Sequence, residues 1–321
     1  MDRRLFIKTS ALAGAGVALG SWVGWPEAAL ATGSCLWGAR TDPYNGETTE
    51  QATKNLETKI GRKLALVRQY AAWDRSLPDN YDTWAANTGH VPYIAWHAIK
   101  IGGAAVSWSS IANGIHDAAI LAQAASLKAW GKRAYFCFHH EPENDPKNGN
   151  AAQFKAAFVH VHKLLQQAGA TNLTWVAAFM ASTYNGGHGG IAAWMPATPG
   201  ILYGVDGYNR GACDPKPGWR SFAEIFHPAR DYAKAKGHGL FIGEYGCVED
   251  TACGNTKGST SRKATWFTDA ASAIKSWPEV KGAVYSNTQW VFNGNKVDYR
   301  VTTNSKSLAA YKTVGKESYF A

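Results

Sequence analysis

No two cysteines in this chain stand at CxxC spacing, and no two histidines at HxxxH. Short segments hold zinc through such spacings, so neither a metal nor a cofactor is expected. His139, His140 and Glu141 are consecutive and cannot all face one ion from a strand. No glycine-rich phosphate loop follows the first apolar segment, which argues against a dinucleotide-binding sheet. The formal net charge is +9, yet no run of Lys or Arg exceeds two residues. The charge therefore reads as solubility or weak attraction to an anionic wall, and no nucleic-acid partner is expected. Beyond the first 31 residues there is no second long apolar run, so no membrane contact is expected once the leader is removed. No linker, low-complexity tract or short repeat divides residues 32–321, which suit one large domain acting as a monomer.

The chain opens MDRRLFIKTSALAGAGVALGSWVGWPEAALA. Arg3 and Arg4, followed by Leu5, Phe6 and Lys8, form a twin-arginine export pattern. An apolar stretch from Ala11 to Val23 and the small-residue site Ala29-Leu30-Ala31 complete it. Residues 1–31 are therefore expected to be a signal peptide and the mature protein to be secreted. Thr32 stands three positions before Cys35 where a lipoprotein has an aliphatic residue, so lipidation is not expected.

Export permits disulfides, and the count of five cysteines leaves at least one thiol free. Cys137 lies inside an apolar run and reads as free and buried. Cys213, Cys247 and Cys253 follow neighbouring strands; one bridge from Cys213 to either Cys247 or Cys253 is expected. The fourteen Trp and fourteen Tyr suit a polysaccharide partner, because aromatic rings stack on the apolar faces of sugars, although most such rings are core.

Strand-like and helix-like segments alternate along the mature chain. Strands are expected at 35–39, 64–70, 92–97, 135–138, 173–179, 201–208, 240–245 and 280–286. Helices are expected at 49–60, weakly within 79–87, and at 111–130, 151–168, 219–236, 261–276 and 306–314. Eight such steps predict an α/β fold, a (β/α)₈ TIM barrel with its site at the carboxyl ends of the strands.

Two of those ends carry carboxylates. The run Tyr135 to Phe138 leads into His139-His140-Glu141-Pro142-Glu143, and Leu240-Phe-Ile-Gly leads into Glu244. Fourth and seventh strands face each other across a barrel mouth. Paired glutamates there suit glycosidic bond cleavage, one protonated to donate to the leaving oxygen and one ionised to attack. Glu141 is expected to be the acid/base, raised by apolar neighbours, and Glu244 the nucleophile. A separation of about 5–5.5 Å is expected, for a retaining double displacement. Glu143 is a rival acid, or a contact to a substrate hydroxyl. His140 is expected to support the site or bind a sugar hydroxyl, and Tyr208 to hydrogen-bond Glu244. Trp96 and His97, after the third strand, and Trp290, after the eighth, are expected to form the floor and stacking wall.

The segments HHEPE, VDGYN (with Tyr208), WRSFAEIF (219–226), LFIGEYG and RKATWFTDA (262–270) together resemble glycoside hydrolase family 26, in the clan of retaining (β/α)₈ glycosidases. They occur in the family's order over nearly the whole mature chain. The family often has an arginine and a proline shortly before the acid/base; here Cys137 and Phe138 stand there. The resemblance implies a secreted endo-β-glycosidase acting on β-1,4-mannan. Mixed-linkage β-glucan and β-1,3-xylan are its alternatives, and a non-catalytic glycan-binding protein on the same scaffold is another.

Overall fold

The structure, a computed structural model, describes residues 34–321; the expected signal peptide lies outside them. Eight parallel strands close on themselves in chain order. They are β1 (Leu36–Thr41), β2 (Leu66–Ala71), β3 (Val91–Trp96), β4 (Ala134–Phe138), β5 (Leu173–Met180), β6 (Leu202–Asn209), β7 (Leu240–Cys247) and β8 (Val280–Asn287). This is the (β/α)₈ barrel expected from the alternation.

Helices start where the sequence offers caps. Thr48, Asp79, Asn150 and Ser221 each close a reciprocal capping box with the residue three positions on. Each satisfies backbone N–H groups that a helix start leaves without partners. The expected helix at 111–130 is instead two, Trp108–Ala112 and Asp117–Trp130, broken at Asn113-Gly114. Trp108 is drawn into the core, where its ring meets Phe154 and Trp194. The tail of the eighth step is a hairpin of β9 (Gln289–Phe292) and β10 (Asn295–Asp298). Asn293 and Gly294, both with positive φ, turn it, the pattern of a two-residue I′ turn.

Side chains alternate along each strand, so the core has two layers. Leu36, Leu66, Tyr93, Ala95, Tyr135, Cys137, Val176, Ala178, Phe241 and Val284 fill the barrel. A larger cluster, including Trp37, Val67, Ile94, Trp96, Phe136, Phe138, Ile242 and Tyr245, lies between strands and helices. The rings of Tyr93 and Tyr135 pack on Phe241 with centroids 4.9 and 4.6 Å apart, and they plug the barrel below the mouth.

Cys213 bridges Cys253 and not Cys247. Cys247 is the buried last residue of β7 and faces the strand–helix layer, whereas Cys213 lies with Val248, Val297 and Tyr299 at the rim. Cys35, Cys137 and Cys247 are free and buried. The bridge closes a loop with a sequence separation of 40. Replacing both cysteines by serine is expected to lower unfolding stability by about 2–4 kcal/mol, through the freed chain entropy of the unfolded state. Denaturant titration with and without reductant checks this: reductant should weaken the wild type and leave the double variant unmoved.

Candidate active site

Three strands, β2, β6 and β7, send side chains inward above the aromatic plug. On β2, Leu66 points into the barrel, so Arg68 and Tyr70 do as well; on β6 the same parity brings in Asp206 and Tyr208. On β7, however, Phe241 points inward and strict alternation would send Glu244 out toward the helices. A bulge corrects its aim. Val205 and Asp206 of β6 pair with Ile242 and Glu244, so one step on β6 spans two on β7. On the other side Ile242 and Tyr245 pair with Ala283 and Tyr285, three steps against two. The extra residue shifts Glu244 to the inner face and returns Tyr245 to the outer layer. Gly243 lies at the bulge because a Cβ there would come within 2.5 Å of Asp206 Oδ1 and 3.2 Å of the Arg68 guanidinium.

Glu244 is buried and enclosed by donors. Tyr70 and Tyr208 donate their hydroxyls to Oε1 and Oε2 respectively. The fully buried Arg68 lies 3.1 Å from Oε1, donates to the Gly243 carbonyl at 2.7 Å and stands 3.4 Å from Asp206. Its guanidinium also lies over the rings of Tyr70 and Tyr93, at 4.8 and 4.7 Å. One guanidinium thus faces two buried carboxylates. The excess negative charge has a consequence: burial, opposed by Arg68 and reinforced by Glu244, pushes Asp206 well above the ordinary carboxylate range.

Glu141 follows β4 in a strained turn. His139 and Glu141 both take left-handed backbone conformations, φ 53° and 48°, which are uncommon outside glycine. Their amides remain tied to the neighbouring strands, His139 N–H to Trp96 and Glu141 N–H to Ala178, both at 2.9 Å. The half-buried Glu141 carboxyl accepts from Asn144 Nδ2 at 2.9 Å. Its proton affinity is raised well above normal, first by burial and then by the negative charges of Asp206, Glu244 and Glu143.

Histidines line the wall between them. His140 Nε2 is 3.9 Å from Glu244 Oε1, and His140 Nδ1 is 2.5 Å from His97 Nε2. Burial and neighbouring positive groups hold both rings below the usual histidine range, His97 down at about 3, so both are neutral at neutral pH. His139 turns away: its Nδ1 accepts from Ala98 N–H at 3.1 Å and its Nε2 meets Asp145 at 2.8 Å. Among the described residues two groups, His97/His139/Asp145 and His140/Asp206/Glu244, have donors close enough to converge on an ion. In the first both nitrogens of His139 are already engaged, and in the second Arg68 supplies the positive charge.

Two expected contacts are corrected. Trp96 is fully buried in the strand–helix layer, stacked on Trp73 at 4.3 Å, and presents no ring face to a ligand. Its neighbour His97 takes the inward position, as alternation requires. Glu143 is also buried: its Oε1 accepts from Met180 N–H at 2.7 Å and Thr183 Oγ1 at 2.6 Å, so it ties the β4 loop to the end of β5. Trp290, half-buried on β9, packs edge-on against Tyr208 at 5.0 Å and lies on the rim of the mouth. Arg68, Tyr70, Asp206 and Asn144 escaped the sequence reading. A charged residue at an inward position of β2 was the available signal for the first.

No family model matches the chain. A curated relative, Endoglucanase H of Acetivibrio thermocellus, is 28% identical over 314 residues, covering 92% of this chain. The chain spans about 30% of that relative's length. Among solved structures, the catalytic domain of a family 26 endo-β-1,4-mannanase from Bacillus sp. JAMB-750 superposes with TM-score 0.60 at 15% identity, over 90% of this chain and 87% of that one. A modular endo-β-1,4-mannanase from Cellulomonas fimi gives TM-score 0.60 at 15% identity, over 90% and 72%. A β-mannanase from a symbiotic protist of the termite Reticulitermes speratus gives 0.57 at 17%, over 90% and 89%. The resemblance to family 26 read from the motifs is thus matched by the fold of its solved members.

Proposed function

We propose that this protein is a retaining endo-β-glycosidase that hydrolyses a plant or cell-wall polysaccharide, with Glu244 as nucleophile and Glu141 as acid/base. The observation that carries the reading is the contrast between the two carboxyls. Glu244 is surrounded by Tyr70, Tyr208 and Arg68, which supply two hydroxyl donors and a positive charge. At Glu141 burial and the negative charges of Asp206, Glu244 and Glu143 outweigh the opposing charge of Arg68 and hold the proton. In the first half of the reaction Glu141 protonates the leaving oxygen while a Glu244 oxygen bonds the anomeric carbon. In the second half Glu141 takes a proton from water, which displaces Glu244 with the original configuration restored. Neutral His140 and His97, beside Glu244, suit hydrogen bonds to the hydroxyls of that sugar, and Trp290 suits a stacking wall.

The substrate we propose is β-1,4-mannan, in line with the family resemblance. A β-glucan is the second reading, because the curated relative carries the name endoglucanase. A panel of mannan, mixed-linkage glucan and β-1,3-xylan, assayed for released reducing ends, separates them; proton NMR of the first product should show the β-anomer. Binding to a glycan without any release would replace the enzyme reading by that of a non-catalytic binder. We further propose export by the twin-arginine route and action as a monomer.

Tyr208 donates to Glu244, and hydrogen bonds to charged groups contribute about 1.5–3 kcal/mol. Tyr208→Phe is therefore expected to lower kcat by about 10- to 150-fold with KM near wild type, and to lower the melting temperature by several degrees. Full activity in this variant would remove Tyr208 from the mechanism.

A further inference from the structure

The face of the barrel opposite the mouth, where helices lead into strands, carries an excess of positive charge. Its connections carry Arg62 and Lys63 before β2, Lys132 and Arg133 before β4, and Lys236 before β7. The last turns of the helices feeding them add Lys128, Lys234 and Lys275, and Lys316 follows the final helix. Lys63, Lys128, Lys132, Lys234, Lys236, Lys275 and Lys316 are exposed. The carboxylates nearby are already engaged: Glu57 by His90 at 2.9 Å and the Leu64 amide, Glu279 by Arg230 at 3.2 Å, and Glu317 by Lys275 at 2.5 Å. On the mouth side acids and bases alternate, with Asp42 against Arg40, Asp298 against Arg300 and Asp250 against Arg262. The chain's positive balance therefore gathers on the floor of the barrel, although no stretch of sequence looks basic.

Lysines at helix C-termini complement the helix dipole, and that explains some of them singly. It extends to Lys236, the C-cap of the helix before β7, and to Lys63, which donates to the Thr88 carbonyl at the end of the helix before β3. It does not explain Lys132 and Arg133, which lie beyond the Gly131 cap, nor the scarcity of free carboxylates. We propose that this face docks the protein on an acidic polysaccharide, a polyuronate-like chain, leaving the mouth free to act. The cations are spread around the floor, most are lysines acting as point charges, and they do not converge on one pocket; that suits a diffuse polyanion over a single small anion. The large exposed apolar side chains, Ile101, Ile115, Leu121, Val159 and Val291, all lie off this floor, so nothing there would enter a lipid layer. The proposal does not depend on the hydrolytic reading.

The test is retention of the purified protein on immobilised polygalacturonate, with neutral cellulose beads as control. Retention at about 0.01 M salt should be lost by about 0.15 M, as the screening length falls from about 30 to about 8 Å. The triple variant Lys63→Glu/Lys132→Glu/Lys236→Glu should bind at least tenfold more weakly. A mouth-side triple of equal net charge, Lys147→Glu/Lys216→Glu/Lys257→Glu, should bind as wild type. Hydrolysis of a soluble glycan by the floor variant should be unchanged; if wild type hydrolyses nothing, the retention result stands by itself. Absence of retention, equal loss in both triples, or tighter binding to duplex DNA or to vesicles containing anionic lipid at the same salt overturns the proposal.

Discussion

Glu244→Ala is expected to lose glycan hydrolysis by on the order of 10⁴-fold or more while remaining folded. The side chain lies in a cluster that is otherwise complete: Arg68 keeps its bond to the Gly243 carbonyl and its pairing with Asp206. Removing one of two buried carboxylates facing a single guanidinium relieves negative charge, so melting temperature should hold or rise. The small variant also leaves room at the anomeric carbon. Azide added with an activated β-glycoside should restore turnover and yield the α-glycosyl azide, one inversion in place of two. Wild-type hydrolysis would remove Glu244 from its role, and a β-azide would assign the nucleophile elsewhere.

Glu141→Ala should behave differently, and the difference separates the two roles. Loss of the general acid is expected to slow natural glycan hydrolysis by about 10²–10⁴-fold. A substrate whose leaving group needs no proton should still form the glycosyl-enzyme quickly, with an initial burst followed by slow turnover. Azide should here yield the β-glycosyl azide. The pH profile supplies a second readout. Burial and neighbouring charge raise Glu141, so wild-type activity should fall on the alkaline side as this group ionises, and the variant should lack that limb. Linkage carries the same sign. The unfolded chain releases this proton near pH 4.3 and the folded chain only at higher pH, so stability falls as pH rises between those values. Glu141→Gln should flatten that decline.

The barrel and the position of the two glutamates along the chain were legible because each rests on local pattern: apolar runs of strand length, caps and stops for the helices, and one carboxylate shortly after a buried strand and one within another. What was not legible depends on pairing across the sheet. Alternation read from Phe241 sends Glu244 outward, and only the one-residue bulge against both β6 and β8 turns it in. Arg68 stands in the middle of an apolar strand, and its partners Asp206 and Glu244 lie more than a hundred residues away in sequence. Trp96 and Glu143 misled for a related reason. Both stand beside true mouth positions, but strand parity carries Trp96 to the helix layer, and the turn at Pro142 swings Glu143 under Met180. The choice of Cys253 over Cys247 likewise follows from which face of β7 the last residue occupies.

The most direct measurement is mass spectrometry of the protein after reaction with a 2-deoxy-2-fluoro-β-glycosyl fluoride, which forms the first covalent intermediate and stalls its hydrolysis. The account predicts one added sugar per chain, recovered after digestion on the peptide containing Glu244 and absent from Glu244→Ala. A label on any other residue, or rapid turnover of a natural glycan with no label under the same conditions, would contradict it.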